Sequence, residues 1–172
     1  MSDKLNQVFQ KQQVQISQPY ENNKKDEIIQ LVGLVVGDEE YAIPILNIQE
    51  IIKPIEYTRV PNVPEYVLGV FNMRGNVMPL IDLAQRFNLG VSKMTPQTRY
   101  IVLKGEGASS GIGGSAGFVI DRLTEAIKIH RNRIDPPPET LLKEKGMIYG
   151  IGKRDDNIFT ILKVESLLKR EF

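Results

Sequence analysis

The stretch NMRGNVMPLIDL, residues 72–83, sets a short polar turn between two apolar runs. The runs on either side, YVLGVFNM and VMPLIDL, are rich in residues that favour strands. A glycine followed by an asparagine between such runs predicts a β-hairpin with a two-residue turn, residues 75–76. The turn also carries Arg74. This arginine is either an ordinary solvated turn residue or an exposed positive charge that binds a partner.

The same arrangement of apolar runs and turns recurs along the chain. GDE at residues 37–39 and RDDN at residues 154–157 each separate two strand-like runs. Only two short helices are predicted. One lies in LIDLAQRFNLG (residues 80–90), about two turns long and ending at Gly90, and the other lies in VESLLKREF (residues 164–172). Many short strands with few helices indicate an all-β protein of the barrel or sandwich type.

Composition excludes several classes of protein. The chain has 22 Lys plus Arg against 21 Asp plus Glu, a net charge of +1, which gives no electrostatic footprint for nucleic acid or an anionic membrane. It has no cysteine, which excludes disulfides, thiolate metal sites and cysteine nucleophiles. No apolar run approaches the roughly 18 residues of a spanning helix, and no secretion signal is recognisable. We therefore predict a soluble cytoplasmic protein that does not insert into membranes.

Catalytic motifs receive little support. His130 is the only histidine, and no carboxylates with ligand spacing accompany it. The acidic pairs at residues 39–40 and 155–156 lie in predicted turns, where acidic residues are favoured anyway. GIGGSA, residues 111–116, fits a dinucleotide fingerprint only formally, because a β-branched run follows it instead of a helix. We predict no catalytic residue, no metal and no cofactor, and we interpret this region as a flexible loop.

The N-terminal residues 1–26 are rich in glutamine, asparagine and lysine and poor in apolar residues. This composition predicts a mobile tail. Its few apolar residues, Val8, Phe9, Val14 and Ile16, could form a weak docking segment.

Binding of another protein is the remaining functional hypothesis. Four aliphatic residues lie near Arg74 in the sequence: Ile48, Ile51, Val67 and Val70. For each of them alone, a place in the core is the more ordinary interpretation. Arginine, however, offers a planar fork that can hold a carboxylate with two hydrogen bonds, and it is enriched at interface hot spots. Glu50 supplies a complementary charge nearby, so a core and an interface interpretation both stay open at this point.

Four blocks of the sequence resemble the CheW family, the coupling proteins of bacterial chemotaxis. They are LVGLVVGDEEYAIPILNIQEI (residues 31–51), VPEYVLGVFNMRGNVMPLIDL (63–83), GFVIDRLTEAIKI (117–129) and IYGIGKRDDNIFTILKVESLL (148–168). The resemblance covers nearly everything from Glu27 to Leu168. The tail has no clear counterpart in the family, and the glycine-serine loop looks longer than usual.

The resemblance implies an all-β fold of two small five-stranded barrels of the SH3 or OB kind, packed side by side, with strands exchanged between them. It places the tail at residues 1–26, the first barrel at 27–92 and the second barrel with the C-terminal helix at 93–172. It also implies a non-catalytic adaptor that couples the cytoplasmic hairpin tip of methyl-accepting chemoreceptors to the regulatory domain of the histidine kinase CheA. Such an adaptor works in the cytoplasm, recruited to receptor–kinase arrays at the membrane.

The resemblance assigns residues to two surfaces. The receptor-facing groove would involve Ile48, Glu50, Ile51, Val70, Asn72 and Arg74. The kinase-facing surface would involve Val119 and Asp121. Two alternative functions are a coupling component of a related non-motility signalling cluster and a phosphatase acting on a response regulator.

Overall fold

The computed structural model describes residues 27–105, 114–138 and 146–169, and this part of the chain is mostly β. Its strands are β1 (Ile28–Val36), β2 (Glu39–Pro44), β3 (Ile48–Ile52), β4 (Val67–Met73), β5 (Asn76–Asp82), β6 (Arg99–Lys104), β7 (Ser115–Ile120), β8 (Arg122–His130), β9 (Ile148–Arg154) and β10 (Asn157–Leu162). The helices are α1 (Leu83–Arg86) and α2 (Val164–Leu167), with 3-10 turns at Ile45–Asn47 and Arg131–Arg133. The predicted tail and most of the predicted glycine-serine loop lie outside the described residues.

The strands form two five-stranded sheets, as predicted. The first sheet has the order β8-β1-β2-β10-β9 and the second has the order β3-β6-β7-β5-β4. Each sheet contains one parallel pair, β2 with β10 in the first and β5 with β7 in the second, and its other neighbours are antiparallel. The second sheet therefore repeats the strand arrangement of the first.

The chain crosses between the sheets twice, once after β2 and once at Asp121 between β7 and β8. The second sheet is consequently built from one continuous run, residues 48–120, whereas the first combines strands from both sides of that run. This arrangement accounts for the predicted strand exchange. The predicted boundary near residue 93 falls inside the run that forms the second sheet, so the two sheets do not divide the chain there. The division into two domains at that point stays a prediction.

Strand β6 shows why the sequences of several strands are apolar at successive positions. Tyr100 and Val102 join one core cluster, and Ile101 and Leu103 join another, and all four are buried. Side chains of a strand alternate between its two faces, so a strand with a core on each side has no polar face.

Each sheet has its own core cluster, and a third cluster lies between the sheets. The interior of the second sheet collects Ile52, Phe71, Met73, Met78, Leu80, Tyr100, Val102 and Val119 from all five of its strands. The interior of the first sheet collects Leu31, Ala42, Ile127, Ile129, Phe159 and Ile161. Side chains from both sheets and both helices form the cluster between them, and this shared core fixes the sheets against each other.

Helix α1 is shorter than predicted. Leu83 and Phe87 are buried together in the cluster between the sheets, as the predicted helical face required. The helix makes only one turn, because Asn88 takes a positive φ of 59° and turns the chain away. Gly90 also has a positive φ, 99°, but it lies beyond this stop, so the predicted two-turn helix ending at Gly90 is wrong in length.

Candidate functional site

The hairpin between β4 and β5 holds Arg74 on a tight turn. The two turn residues are Arg74 and Gly75, with φ of 53° and 84°, and Asn76 already belongs to β5. The predicted Gly-Asn turn was therefore wrong by one residue. Positive φ at both central positions is the signature of the hairpin-type turn, and it is uncommon for an arginine. Asn72 supports the turn, because its Oδ1 accepts a hydrogen bond from the Gly75 nitrogen at 2.9 Å.

Arg74 forms an ion pair with Glu50. Its Nη2 donates to Glu50 Oε1 at 3.0 Å, and the Arg74 side chain is 78% exposed while that of Glu50 is 27% exposed. Glu50 lies on β3 and the turn follows β4, and these strands are the two edges of the second sheet. The pair thus joins opposite edges of one curved sheet. An ion pair this exposed contributes less than about 1 kcal/mol to stability, so the guanidinium stays available to a partner.

The three predicted aliphatic contacts are half-buried. Ile48 and Ile51 pack against the cluster between the sheets but keep part of their surface exposed. Val70 is held by two backbone hydrogen bonds with Thr58, each of 2.8 Å. Val67, by contrast, is a buried core residue. We call the six residues predicted to face the receptor, Ile48, Glu50, Ile51, Val70, Asn72 and Arg74, the hairpin surface. Among them, Arg74 and Glu50 are in direct contact.

The two residues predicted to face the kinase have different environments. Val119 is 0% exposed and belongs to the interior cluster of the second sheet. Its side chain therefore does not reach an exposed surface, and its predicted place on a kinase-facing surface is corrected accordingly. Asp121 is half-buried, and its Oδ2 accepts a hydrogen bond from the Gly37 nitrogen at 2.9 Å. Alternation along β7 explains the correction, because both faces of this strand are covered by core.

A second ion pair in the first sheet was missed by the sequence reasoning. Arg154 Nη1 lies 3.2 Å from Glu125 Oε1. Glu125 is on the edge strand β8 and Arg154 ends β9, so this pair also joins the two edges of its sheet. Asp155 has φ of 54°, close to the 53° of Arg74 in the matching hairpin. The available signal for this repeat was that MRGN and RDDN each place a two-residue turn before an asparagine.

Metal-binding clusters and membrane-spanning helices are absent from the part of the chain that the structure describes. Across residues 27–105, 114–138 and 146–169, no group of three or more histidine, aspartate or glutamate side chains could hold a metal ion. No helix within these ranges is long and apolar enough to cross a membrane. His130 is exposed at the end of β8. The hairpin surface combines half-exposed aliphatic side chains with an exposed guanidinium.

Comparisons with known proteins agree on one family. The profile of the CheW-like domain matches residues 30–172. The chemotaxis protein CheW of Helicobacter pylori is 51% identical over 172 residues, covering all of both chains. That of Bacillus subtilis is 32% identical over 142 residues, 82% of this chain and 87% of the relative. The crystal structure of the scaffolding protein TtCheW from Thermoanaerobacter tengcongensis matches with a TM-score of 0.73 at 30% identity, covering 83% of this chain and 89% of that one.

Proposed function

The chain belongs to the CheW family, and we propose that it is a non-catalytic chemotaxis adaptor that joins the cytoplasmic tip of a chemoreceptor to the regulatory domain of the histidine kinase CheA. The observation that carries the proposal is Arg74, which is 78% exposed on a tight turn and pairs with Glu50 across the edges of the second sheet. The solved relative is described as a scaffolding protein, which supports a role without catalysis.

The hairpin surface suits the helical tip of a receptor. An amphipathic helix can lay an apolar stripe against Ile48, Ile51 and Val70. A carboxylate of that helix would then engage Arg74, which offers paired N–H donors for it. The hydrogen bond between Asn72 and Gly75 fixes the backbone of the turn that carries Arg74, so the backbone there loses little conformational freedom on binding.

The kinase contact in this proposal involves Asp121. Its carboxylate is half-exposed at the crossover between the sheets, where a domain that packs across both sheets would meet it. Val119 contributes indirectly, since its buried side chain fixes β7 against the interior of the second sheet. The adaptor would act in the cytoplasm and be recruited to receptor–kinase arrays, with no cofactor and no nucleic acid involved.

Binding measurements test this proposal directly. We expect the purified chain to bind a receptor-tip fragment and a CheA regulatory fragment at the same time, which gel filtration of the three-component mixture would show. Arg74→Glu should weaken the receptor complex and spare the kinase complex. Asp121→Asn, which keeps an acceptor for the Gly37 nitrogen, should do the reverse. If neither fragment binds, the adaptor proposal is wrong. Turnover in a dephosphorylation assay with a response regulator would instead favour the phosphatase alternative.

A further inference from the structure

An apolar groove on the first sheet shares no residue with the hairpin surface. It encloses about 580 Å³ and runs from the start of β1, past the 3-10 turn after β2, to the start of β9 and the end of β10. Four large hydrophobic side chains line it while remaining exposed: Ile28 at 55%, Ile45 at 42%, Leu46 at 75% and Tyr149 at 43%. We call these four residues the groove patch.

The groove patch is the main concentration of exposed apolar surface in the described residues. Ten large hydrophobic residues there are exposed, and four of the ten line this one groove. Scattered exposed hydrophobics are normal, whereas a contiguous patch marks a surface that another segment or protein covers. The groove rim is balanced in charge, with Glu27 and Glu165 against Arg131 and Lys163, so it does not select a strongly charged occupant.

The position of the groove points to the N-terminal segment as its occupant. Glu27 lines the groove, and residues 1–26 are joined directly to it. Residues 5–16, with the sequence LNQVFQKQQVQI, hold most of the apolar side chains of this segment and a single charged residue, Lys11. Leu5, Val8 and Phe9 have the spacing of one helical face. Such a weakly charged segment matches a charge-balanced apolar groove.

Chain connection makes this docking feasible even when the contact is weak. Between Ile16 and Glu27 an extended chain spans at most about 40 Å, at roughly 3.6 Å per residue. A segment tethered this closely has an effective concentration in the millimolar range at its groove. A small apolar contact is therefore sufficient to keep the groove covered for much of the time.

The comparisons separate this segment from the shared part of the family. The family profile begins at residue 30, and the Bacillus subtilis relative matches 82% of the chain. The Helicobacter pylori relative, however, matches over all 172 residues, the N-terminal segment included. The prediction that the tail has no clear counterpart in the family is therefore wrong, since this relative carries one outside the range of the family profile.

We propose that residues 5–16 dock in the groove of the same molecule and cover the groove patch. The inference concerns a different surface from the proposed adaptor function and does not depend on it. Any protein that binds this groove must then displace the N-terminal segment, which makes the segment an internal competitor for that surface.

Paramagnetic broadening of NMR signals in the full chain tests the proposal. Because the chain has no cysteine, Gln12→Cys provides a single attachment point for a nitroxide label. We expect the amide signals of Ile28, Leu46 and Tyr149 to lose intensity strongly, while those around Val91 keep theirs. Broadening spread evenly over the protein, or none at all, would overturn the proposal.

Two variants and one mixed sample serve as controls for this experiment. Leu46→Ser, at a residue 75% exposed within the groove, should restore the intensity of the neighbouring signals. Val91→Ser, at a residue 71% exposed outside the groove, is the matched control and should change nothing. A second sample mixes two proteins: one carries the nitroxide but has no nitrogen-15, and the other is nitrogen-15 enriched but has no nitroxide. In this mixture the broadening of the groove signals should vanish. Its persistence would show that a second copy supplies the segment, and an unchanged result with Leu46→Ser would show that the groove is not the site.

Discussion

The Oδ2 atom of Asp121 accepts a hydrogen bond at 2.9 Å from the backbone nitrogen of Gly37, 84 residues away in the chain. Asp121 lies where the chain passes from β7 of the second sheet to β8 of the first, and Gly37 opens the turn between β1 and β2. The Asp121 nitrogen also donates to the Val35 carbonyl at 3.0 Å. The crossover between the sheets is thereby fixed to the first hairpin.

Asp121→Ala should lower the free energy of unfolding by about 1–3 kcal/mol, because the Gly37 N–H would lose a charged acceptor in a half-buried position. Asp121→Asn should cost less, since its amide oxygen still accepts this hydrogen bond. Urea unfolding of the three proteins measures both differences.

Asp156→Ala is the matched control for this prediction. Asp156 lies exposed in the turn between β9 and β10, so its loss should change stability by no more than about 0.5 kcal/mol. If Asp121→Ala is as stable as the wild type and yet binds the kinase fragment poorly, Asp121 is a partner contact without a structural role.

Arg74→Asn separates the charge of Arg74 from its backbone conformation. Asparagine accepts the positive φ of 53° found at this position, so the turn should survive. The exposed pair with Glu50 contributes little, and stability should change by less than about 1 kcal/mol. Affinity for a receptor-tip fragment should fall about tenfold or more, as expected for an arginine hot spot. Titration calorimetry and thermal unfolding measure the two effects.

The repeated arrangement supplies a control for Arg74. Arg154→Gln breaks the matching pair with Glu125 in the first sheet and removes the same charge from the molecule. Receptor affinity should remain at the wild-type level in this variant. An equal loss in both variants would mean that net charge, and not the hairpin surface, governs binding.

Local turn chemistry explains what the sequence predicted correctly. The turns at residues 37–38, 74–75 and 155–156 each contain at least one residue with positive φ. Glycine, aspartate and asparagine favour such turns, so a few neighbouring residues are enough to predict them. The apolar runs between them, rich in residues that favour strands, identified the strands. The one-residue error at Arg74 arose because arginine seldom adopts positive φ.

Long-range strand pairing explains which features of the fold and of the site could not be predicted from the sequence. The parallel pairs β2–β10 and β5–β7 join segments that are distant in sequence, and no local pattern encodes their register. Val119 shows the consequence for the site. Strand β7 is buried on both faces, so its sequence cannot tell an exposed side chain from a core one. The proximity of Glu50 to Arg74 was anticipated from their opposite charges, but the pair Glu125–Arg154 was not.

Gly69→Ala should destabilise the fold strongly. A Cβ atom at this position would lie 2.1 Å from the carbonyl oxygen of Thr58, which is backbone and cannot move aside cheaply. Thr58 pairs with Val70 through two hydrogen bonds, so the shift would also disturb the hairpin surface. Overpacking of this kind costs about 1–3 kcal/mol, and urea unfolding would detect it. Gly146→Ala, where a Cβ meets nothing within 4 Å, should leave the unfolding midpoint unchanged.

The stability of the protein should fall at alkaline pH because of Tyr100. Burial raises the pKa of the Tyr100 hydroxyl above its ordinary value of 10.0, and the neighbouring Tyr57 raises it further. The unfolded chain therefore releases this proton first as the pH rises. The stabilisation is complete below about pH 10 and is lost as the pH passes through the higher folded-state pKa. Urea unfolding from neutral pH to about pH 11 should show a shallower decline in Tyr100→Phe than in the wild type. Tyr149→Phe removes an exposed tyrosine and should keep the wild-type decline, so equal curves for the two variants would exclude Tyr100 as the cause.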